Sequence, residues 1–549
     1  MDVKERIEKN LMDYMRVKTH TGTDLEINNE IFFKNWFESV PYLKENPEHY
    51  GFYPLKSDPL NRTCPWALLK GQGHDTIILL HHTDTVDVDD YGTFKELAYE
   101  PDKLERFMKE GRVELDDLTK RDLNSGDWMF GRGASDMKGG GCIHLALFET
   151  YCKEQAFNGN ILILAVPDEE NLSAGMRSAA YLLKELREKF QLHYKLLLNV
   201  EPHERIDENK ATIYDGSVGK LMPVFLVRGK LSHVGQIYKG LNPINLLSDI
   251  VRKTELNPDF IEKDGNTVTP PPAWLYFKDR KEIYDVSLPQ YAGGYMSVLS
   301  LTSAPKDILG RLKTISQEAF QEVIEEMNKS YLRYSELLDK DFDRLSWEPK
   351  VKFYSELYGE IASEKGAAFE EEIKSYQIQL EHRISCHEIT RVEGIYKLIE
   401  KTLEYSSDLS PTVIIGLAAP YYPSTNNAML PNADEMQELI KKLEAFSLNE
   451  TGEGIYTQNY FTGISDLSYA MFTLGHEDIK YVSNNMLFWG NQYYIPLEII
   501  KEQSMPVLNV GPWGKDLHKY TERVFKPDLF ENTPKLVDFI IRTVLKGKQ

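Results

Sequence analysis

The chemically loaded points of this chain are an H-x-D pair, an aspartate set among glycines, and two glutamate-bearing turns. His82 and Asp84 follow the apolar run DTIILLH in LHHTDTVD (80–87), and Asp136 lies in GRGASDMKGG (131–140). Glu169 and Glu170 close VPDEE (166–170), and Glu201 closes YKLLLNVE (194–201). Two residues apart on an extended segment, His82 and Asp84 point to the same side. The imidazole can then bind a metal while the aspartate takes its other ring N–H; the bland reading is a strand-end histidine bonded to backbone. His81 alternates to the opposite face and reads as structural. Glycines around Asp136 allow close backbone approach to a ligand, although an aspartate there is equally a helix N-cap. Adjacent carboxylates at 169 and 170 are costly at a buried strand end unless they share a cation or a proton. One can bind metal while the other acts as general base on water; the alternative is a solvated acidic turn with Asp168 as a helix cap. Glu201 carries the same two readings. Each point is ambiguous alone. Together they fall at the ends of four expected strands of one sheet, and histidine and carboxylate donors without cysteine suit zinc, manganese or cobalt in a catalytic rather than a structural site.

Elements able to position these residues are legible around them. Amphipathic helices are expected over 1–17 and 28–40, and strands over 64–70 and 75–81 about the turn KGQGHD. Residues 88–128 are charge-rich and read as a surface excursion. A helix over 141–156, a strand over 160–167, a helix over 174–190 and a strand over 194–201 alternate as in an α/β domain with a mainly parallel sheet flanked by helices. Near residue 212 the style changes. Strands at 220–229, 294–301, 375–384 and 411–419, with helices at 243–256 and 391–406, follow the order of a split-βαβ, ferredoxin-like α+β domain. A long insertion, about 257–370, holds the loop TPPPAW (269–274) and a helical run at 305–340. A helix at 433–447, a strand at 505–511 and a helix at 533–547 resume the α/β style. The expected organisation is therefore a metal-binding catalytic domain in two parts, 1–211 and 424–549, interrupted by an inserted lid at 212–423.

Composition excludes several classes. The 549 residues are too many for one core, and 85 acidic against 64 basic residues leave a formal net charge of −21. An acidic surface repels nucleic-acid phosphates and anionic lipid, so neither is an expected partner. Cys64, Cys142, Cys152 and Cys386 form no C-x-x-C pair and so suggest neither a cysteine zinc cage nor a disulfide framework. The first residues, MDVKERIEKNLMDYM, are charged and amphipathic rather than a signal segment, and no 18-residue apolar window occurs. A cytoplasmic enzyme is the expectation.

The set LHHTDTVD, GRGASDMKGG, VPDEE and NVEP resembles the co-catalytic zinc peptidase family of aminoacylases, glutamate carboxypeptidases, tripeptidases and desuccinylases. KLSHVGQIYKGLNPINLL (230–247) is similar to that family's lid motif, and GPWGKDLHKYTERV (511–524) to its last ligand segment. The long lid insertion resembles the arginine-utilisation (RocB-like) branch. The resemblance implies that Asp136 bridges two metals, that His82 and Glu201 complete one site, and that Glu170 and His518 complete the other. It implies Glu169 as general base, Asp84 as the residue orienting His82, and His233 as a lid histidine that stabilises the oxyanion, in dimeric members from the partner chain. A homodimer paired through the lid follows from the same resemblance. Arg383, in QLEHRIS, lies near the place of a lid arginine that binds a substrate carboxylate, and Asp466, in TGISDLSYA, matches a segment near the site. The implied reaction is hydrolysis of an amide bond in a small peptide or N-acyl amino acid. A catalytically silent metal-binding protein on the same fold is the second reading, since function does not follow from fold; retention of Glu169 argues against it. A nucleotide-handling enzyme is a third, but GRGASDMKGG lacks both the lysine-serine ending of a P-loop and G-x-G-x-x-G spacing.

Overall fold

A computed structural model describes residues 2–154, 157–491 and 493–545. The expected helices over 1–17, 141–156 and 533–547 each run past those limits, so Met1, 155–156 and 546–547 lie outside the described residues.

Apolar runs rich in Ile, Leu and Val build an eight-stranded mixed sheet. Its order is Tyr50–Pro54, Thr63–Lys70, Asn158–Val166, Gln72–His82, His193–Asn199, Val507–Asn509, Lys210–Tyr214 and Gly454–Gln458. Gln72–His82 is central and pairs in parallel with Asn158–Val166 on one side and His193–Asn199 on the other. His82, Glu169 and Glu201 therefore leave the carboxyl ends of three neighbouring parallel strands, where open α/β sheets place ligands.

Helices cover both faces. Val3–Met15, Lys138–Tyr151 and Thr533–Leu545 bury one face, in a core that includes Leu79, Ile163 and Leu198. Ala174–Phe190 covers the other, with Met176, Ala179, Ala180, Leu183 and Leu186 buried at helical spacing. The helix Lys138–Tyr151 sits unusually close to the sheet. A side chain at Gly140 would collide with the carbonyl of Val200, and one at Gly141 with the His81 ring. The glycine run so lets the helix begin directly beneath the strand ends.

A second sheet of five strands runs Ala273–Asp279, Tyr291–Ser300, Gly219–Arg228, Thr412–Tyr422 and Val351–Phe353. Its chain enters and leaves through a two-stranded neck in which Gly216–Ser217 pairs with Thr425–Asn426. Gly216 packs there against the Thr425 carbonyl, with no room for a β-carbon.

Two expectations for this region are corrected. Residues 375–384 belong to the helix Ala367–Ser385 rather than a strand. The alternation Tyr376, Ile378, Leu380 imitates a strand, but Phe369, Ile373 and Leu380 are the buried set and Ile378 is 52% exposed. The hairpin partner of Tyr291–Ser300 is Ala273–Asp279, which begins inside the proline-rich segment. The extra helices, among them Pro305–Leu337, Tyr354–Lys365 and Ala367–Ser385, consequently follow that hairpin rather than separate its two strands. Residues 88–128 differ too. They fold into Asp89–Tyr99, Pro101–Lys109 and Asp117–Ser125 around Tyr91, Tyr99, Leu104, Trp128 and Phe130, a packed satellite core rather than a surface excursion.

Candidate metal centre

His82 ends its strand fully buried. Its Nδ1 faces the Asp84 carbonyl at 3.0 Å, while the Asp84 carboxylate stands 3.6 Å away. A hydrogen on Nδ1 donates to that carbonyl and leaves the Nε2 lone pair for the site. The Asp84 carboxylate accepts the backbone N–H of Glu169 at 3.1 Å and of Glu170 at 3.2 Å. It thus fixes the acidic turn, and the backbone carbonyl of Asp84, rather than its carboxylate, is the nearer partner of the imidazole.

Asp136 is delivered differently from the other three points. It follows the short strand Trp128–Phe130 and precedes the helix Lys138–Tyr151, so it does not end a strand of the large sheet. Trp128–Phe130 pairs with Arg523–Phe525, which pairs with Gly514–Lys515, and His518 lies on the loop between those last two. One small sheet therefore brings Asp136 and His518 together across 382 residues of sequence.

The two Asp136 oxygens face opposite histidines, Oδ1 at 3.0 Å from His82 Nε2 and Oδ2 at 3.2 Å from His518 Nε2. Glu170 Oε1 is 3.0 Å from His518 Nε2, and Glu201 Oε1 is 3.7 Å from His82 Nε2. Donor atoms of His82, Asp136 and Glu170 lie within 4.8 Å of one another, as do those of His82, Glu169 and Glu201. Asp136, Glu169, Glu170, Glu201 and His518 line a cavity of about 260 Å³, just below the roughly 300–1,000 Å³ usual for small-molecule pockets.

The electrostatics show what the set lacks. Burial raises the carboxyl pKa of Glu169 and Glu201, and each repels the other carboxylates. Burial and the Asp136 charge raise Glu170 as well. Burial also works against ionised Asp136, but hydrogen bonds with His518 and His82 prevail and hold it below the usual carboxylate range. Hydrogen bonds to Asp136 and Glu170 push His518 up to about 10. The three buried glutamates thus lean towards their neutral forms, while Asp136 stays ionised between two imidazoles. Oxygen and imidazole donors short of positive charge are a fitting set for divalent metal ions.

Three candidates lie elsewhere. His233 is exposed on the lid, and its Nδ1 accepts the Gly235 N–H at 3.1 Å, so a single chain does not bring it into the cavity. Arg383, on the helix Ala367–Ser385, pairs with Glu388 at 3.2 Å and does not reach the site. Asp466 is buried beside the cavity lining rather than in it.

Two groups were not singled out from the sequence. Lys220, at the start of Gly219–Arg228, lines the cavity with Tyr422 and Phe461; a lone lysine opening the apolar strand KLMPVFLVRG was its only signal. Glu522 is fully buried. Its Oε1 accepts the backbone N–H groups of Gly133, Ser135 and Asp136 at 2.9, 3.2 and 3.2 Å, and its Oε2 takes Arg132 Nη1 at 2.7 Å. Nothing in the charged segment HKYTERV distinguishes it in advance.

With this geometry in place, the chain belongs to peptidase family M20/M25/M40, whose family model matches residues 113–479. It is a hydrolase of the metallopeptidase class. Two Bacillus subtilis (strain 168) proteins are similar along nearly the whole length. The uncharacterized protein YqjN is 30% identical over 553 residues, covering 100% of this chain and 97% of its own. Protein RocB is 30% identical over 548 residues, covering 98% and 94%. A tripeptidase from Staphylococcus aureus superposes with a TM-score of 0.52 at 12% identity, with 99% of each chain covered. An M20 family metallo-carboxypeptidase from Sulfolobus solfataricus gives 0.53 at 12% identity, again with 99% of each covered. The matched span 113–479 holds Asp136, Glu169, Glu170 and Glu201 but not His82 or His518, so those two rest on the geometry just described. No helix among the described residues is long and apolar enough to cross a membrane.

Proposed function

We propose that this chain hydrolyses the amide bond of a small peptide or N-acyl amino acid, with Glu169 as general base beside two divalent metal ions. The observation that carries the reading is Asp136, whose two oxygens face His82 and His518 from opposite sides. In this reading His82 and Glu201 would hold one ion, Glu170 and His518 the other, and Asp136 would serve both. Such ions supply a water of lowered pKa and polarise the scissile carbonyl, zinc being the first expectation from the donors and cobalt or manganese the alternatives.

The remaining steps belong to side chains. Glu169, as the ionised carboxylate lining the cavity beside Glu170 and Glu201, takes a proton from the attacking water and returns it to the leaving nitrogen. Its backbone is fixed by Asp84, which keeps the proton path short. Lys220 provides the positive charge in the cavity that Arg383 does not, and in this reading it faces the free carboxylate of the substrate. The small cavity favours short substrates over polypeptides.

The test is Glu169→Gln, which preserves shape and removes the proton acceptor. Hydrolysis of N-acyl amino acids and dipeptides falls by about 10²–10⁴-fold or more, while metal analysis still finds close to two ions per chain. Turnover unchanged in that variant would move the base elsewhere. A wild-type protein that binds metal but cleaves none of these substrates would favour the silent metal-binding reading.

A further inference from the structure

A second cavity, of about 310 Å³, lies where the large-sheet domain meets the helices added to the lid. Lys56, Arg62, Arg177 and Arg391 line it, against two carboxylates, Asp58 and Asp168. Both carboxylates are already engaged. Arg62 donates to Asp58 at 2.8 Å and to Asp168 at 2.6 Å, and Asp168 also accepts the Ala174 N–H at 3.0 Å. Lys56 is drawn over the Tyr181 ring.

That leaves Arg177 and Arg391. Neither has an ion-pair partner among the described residues. Arg177 is held in place: Nε donates to the Leu172 carbonyl at 3.0 Å, Nη1 to the Tyr494 carbonyl at 2.9 Å, and the guanidinium lies 4.5 Å from the Tyr493 ring centre. Arg391 Nη1 is buried with no hydrogen-bond partner. Burial first, and then the charge of Arg177, work against its protonated form; Asp168 and Glu381 contribute an attractive field without pairing to it. A guanidinium does not shed its proton to relieve this. A half-buried cation whose Nη1 has no partner, set beside a second cation, is unfavourable unless an anion completes it. The Arg391 fork, with the Arg177 Nη2 group left over from its two carbonyl bonds, matches an oxyanion in geometry as well as in charge.

We infer that this cavity is a binding site for a small organic carboxylate, clamped between Arg177 of the large-sheet domain and Arg391 of the lid. Its volume exceeds what an inorganic oxyanion needs, and Asn171 lines both this cavity and the one at the metal centre. Proximity gives two sources for the same chemistry: a carboxylate of the substrate or product itself, or a free carboxylic acid. Binding at this site does not rest on the proposed hydrolase activity, and the primary readout below does not use it.

The experiment titrates succinate into the metal-loaded full-length protein at constant ionic strength, with chloride and inorganic phosphate as comparison anions, and follows heat and melting midpoint. Wild type binds succinate saturably and its midpoint rises; phosphate binds more weakly. Arg391→Met weakens succinate about 10- to 100-fold, the scale of hydrogen bonds to a charged group. Without succinate the same variant melts at or above wild type, because an unsatisfied buried charge is gone; with saturating succinate it melts below. Arg391→Lys keeps the charge but not the fork and falls between, which preserves the test if the methionine variant does not fold. Succinate acting only on the metal ions would bind the variants and wild type alike, and that result overturns the site. So do a loss of midpoint in anion-free R391M and a preference for phosphate. Competition then assigns the source. Succinate that raises KM for an N-acetylated amino acid marks the substrate's own carboxylate, and stabilisation without a change in KM marks a free acid; both outcomes support the site.

Discussion

Glu522 gives the sharpest test of how the centre is held. One of its oxygens gathers three backbone N–H groups of the loop 133–136, and the other pairs with Arg132, which is 1% exposed. Burial pushes the Glu522 carboxyl up to about 7, against the pull of Arg132. Glu522→Ala strands three amides and leaves Arg132 with only Asp90 and the Asp87 carbonyl; breaking a fully buried pair by removing one partner costs about 3–5 kcal/mol, and Asp90 places this case at the lower end. Glu522→Gln is the more telling change. Its carbonyl still accepts the three amides, but its NH2 group confronts Arg132, donor against donor. The expected loss of stability is about 1–3 kcal/mol. The loop carrying Asp136 shifts with it, and metal affinity falls about 10- to 100-fold, as for other residues that orient ligands from behind. Competitive titration against a chromophoric chelator reads the affinity, and denaturant unfolding of the metal-free protein reads the stability. Both must move. A Gln variant that binds metal as wild type does, with stability unchanged, would show that the loop is positioned without Glu522.

Three further outcomes follow. Lys220→Met raises KM for substrates with a free carboxylate and lowers kcat/KM by about 10- to 100-fold, the scale of a charge-assisted hydrogen bond; an equal effect on amidated substrates would deny Lys220 that contact. Asp215, largely buried and hydrogen-bonded by Asn427, has its pKa raised by burial from 3.8 to about 6. A raised carboxyl supports the fold fully below its unfolded value and loses that support as pH climbs through about 6. Asp215→Asn therefore matches wild type near pH 4 and exceeds it by about 1–3 kcal/mol above pH 7, read by denaturant unfolding of chelator-treated protein; equal differences at both pH values would contradict this. If His233 completes the site of a second copy, mixing inactive His233→Ala with inactive Glu169→Gln under subunit exchange restores activity, whereas light scattering at 63.4 kDa, one chain, excludes it.

The strands that carry His82, Glu169 and Glu201 were readable because they are long apolar runs broken abruptly by charge, a pattern that only a buried parallel sheet tolerates. Asp136 and His518 were readable as residue types but not as a pair. They meet through strands of two and three residues, too short to leave a periodic signal. The lid was harder. Ala273–Asp279 is an edge strand with little buried surface, so its sequence reads as loop. Ile378 and Leu380 alternate by chance on a helix whose true contact is Phe369, Ile373 and Leu380. Arg383, singled out by the resemblance of QLEHRIS, lies on that same helix and pairs with Glu388. Lys220 and Glu522 show the general limit: a single charged residue in an ordinary segment says nothing until the fold reveals what surrounds it.

The two-stranded neck at Gly216–Ser217 and Thr425–Asn426 has a mechanical meaning. Lys220 stands three residues past it on the way into the lid, and Tyr422 three residues before it on the way out. At about 3.3 Å per extended residue that is a radius of about 10 Å. The 33-residue helix Pro305–Leu337, at 1.5 Å per residue, is about 50 Å long. Were the lid to rock about the neck, it would do so as an unequal lever. A swing that carries the far end of that helix through a wide arc turns Lys220 and Tyr422 by a small fraction of it. The outer surface of the lid can be loaded, crowded or remodelled over evolution while the wall of the reaction chamber keeps its calibration.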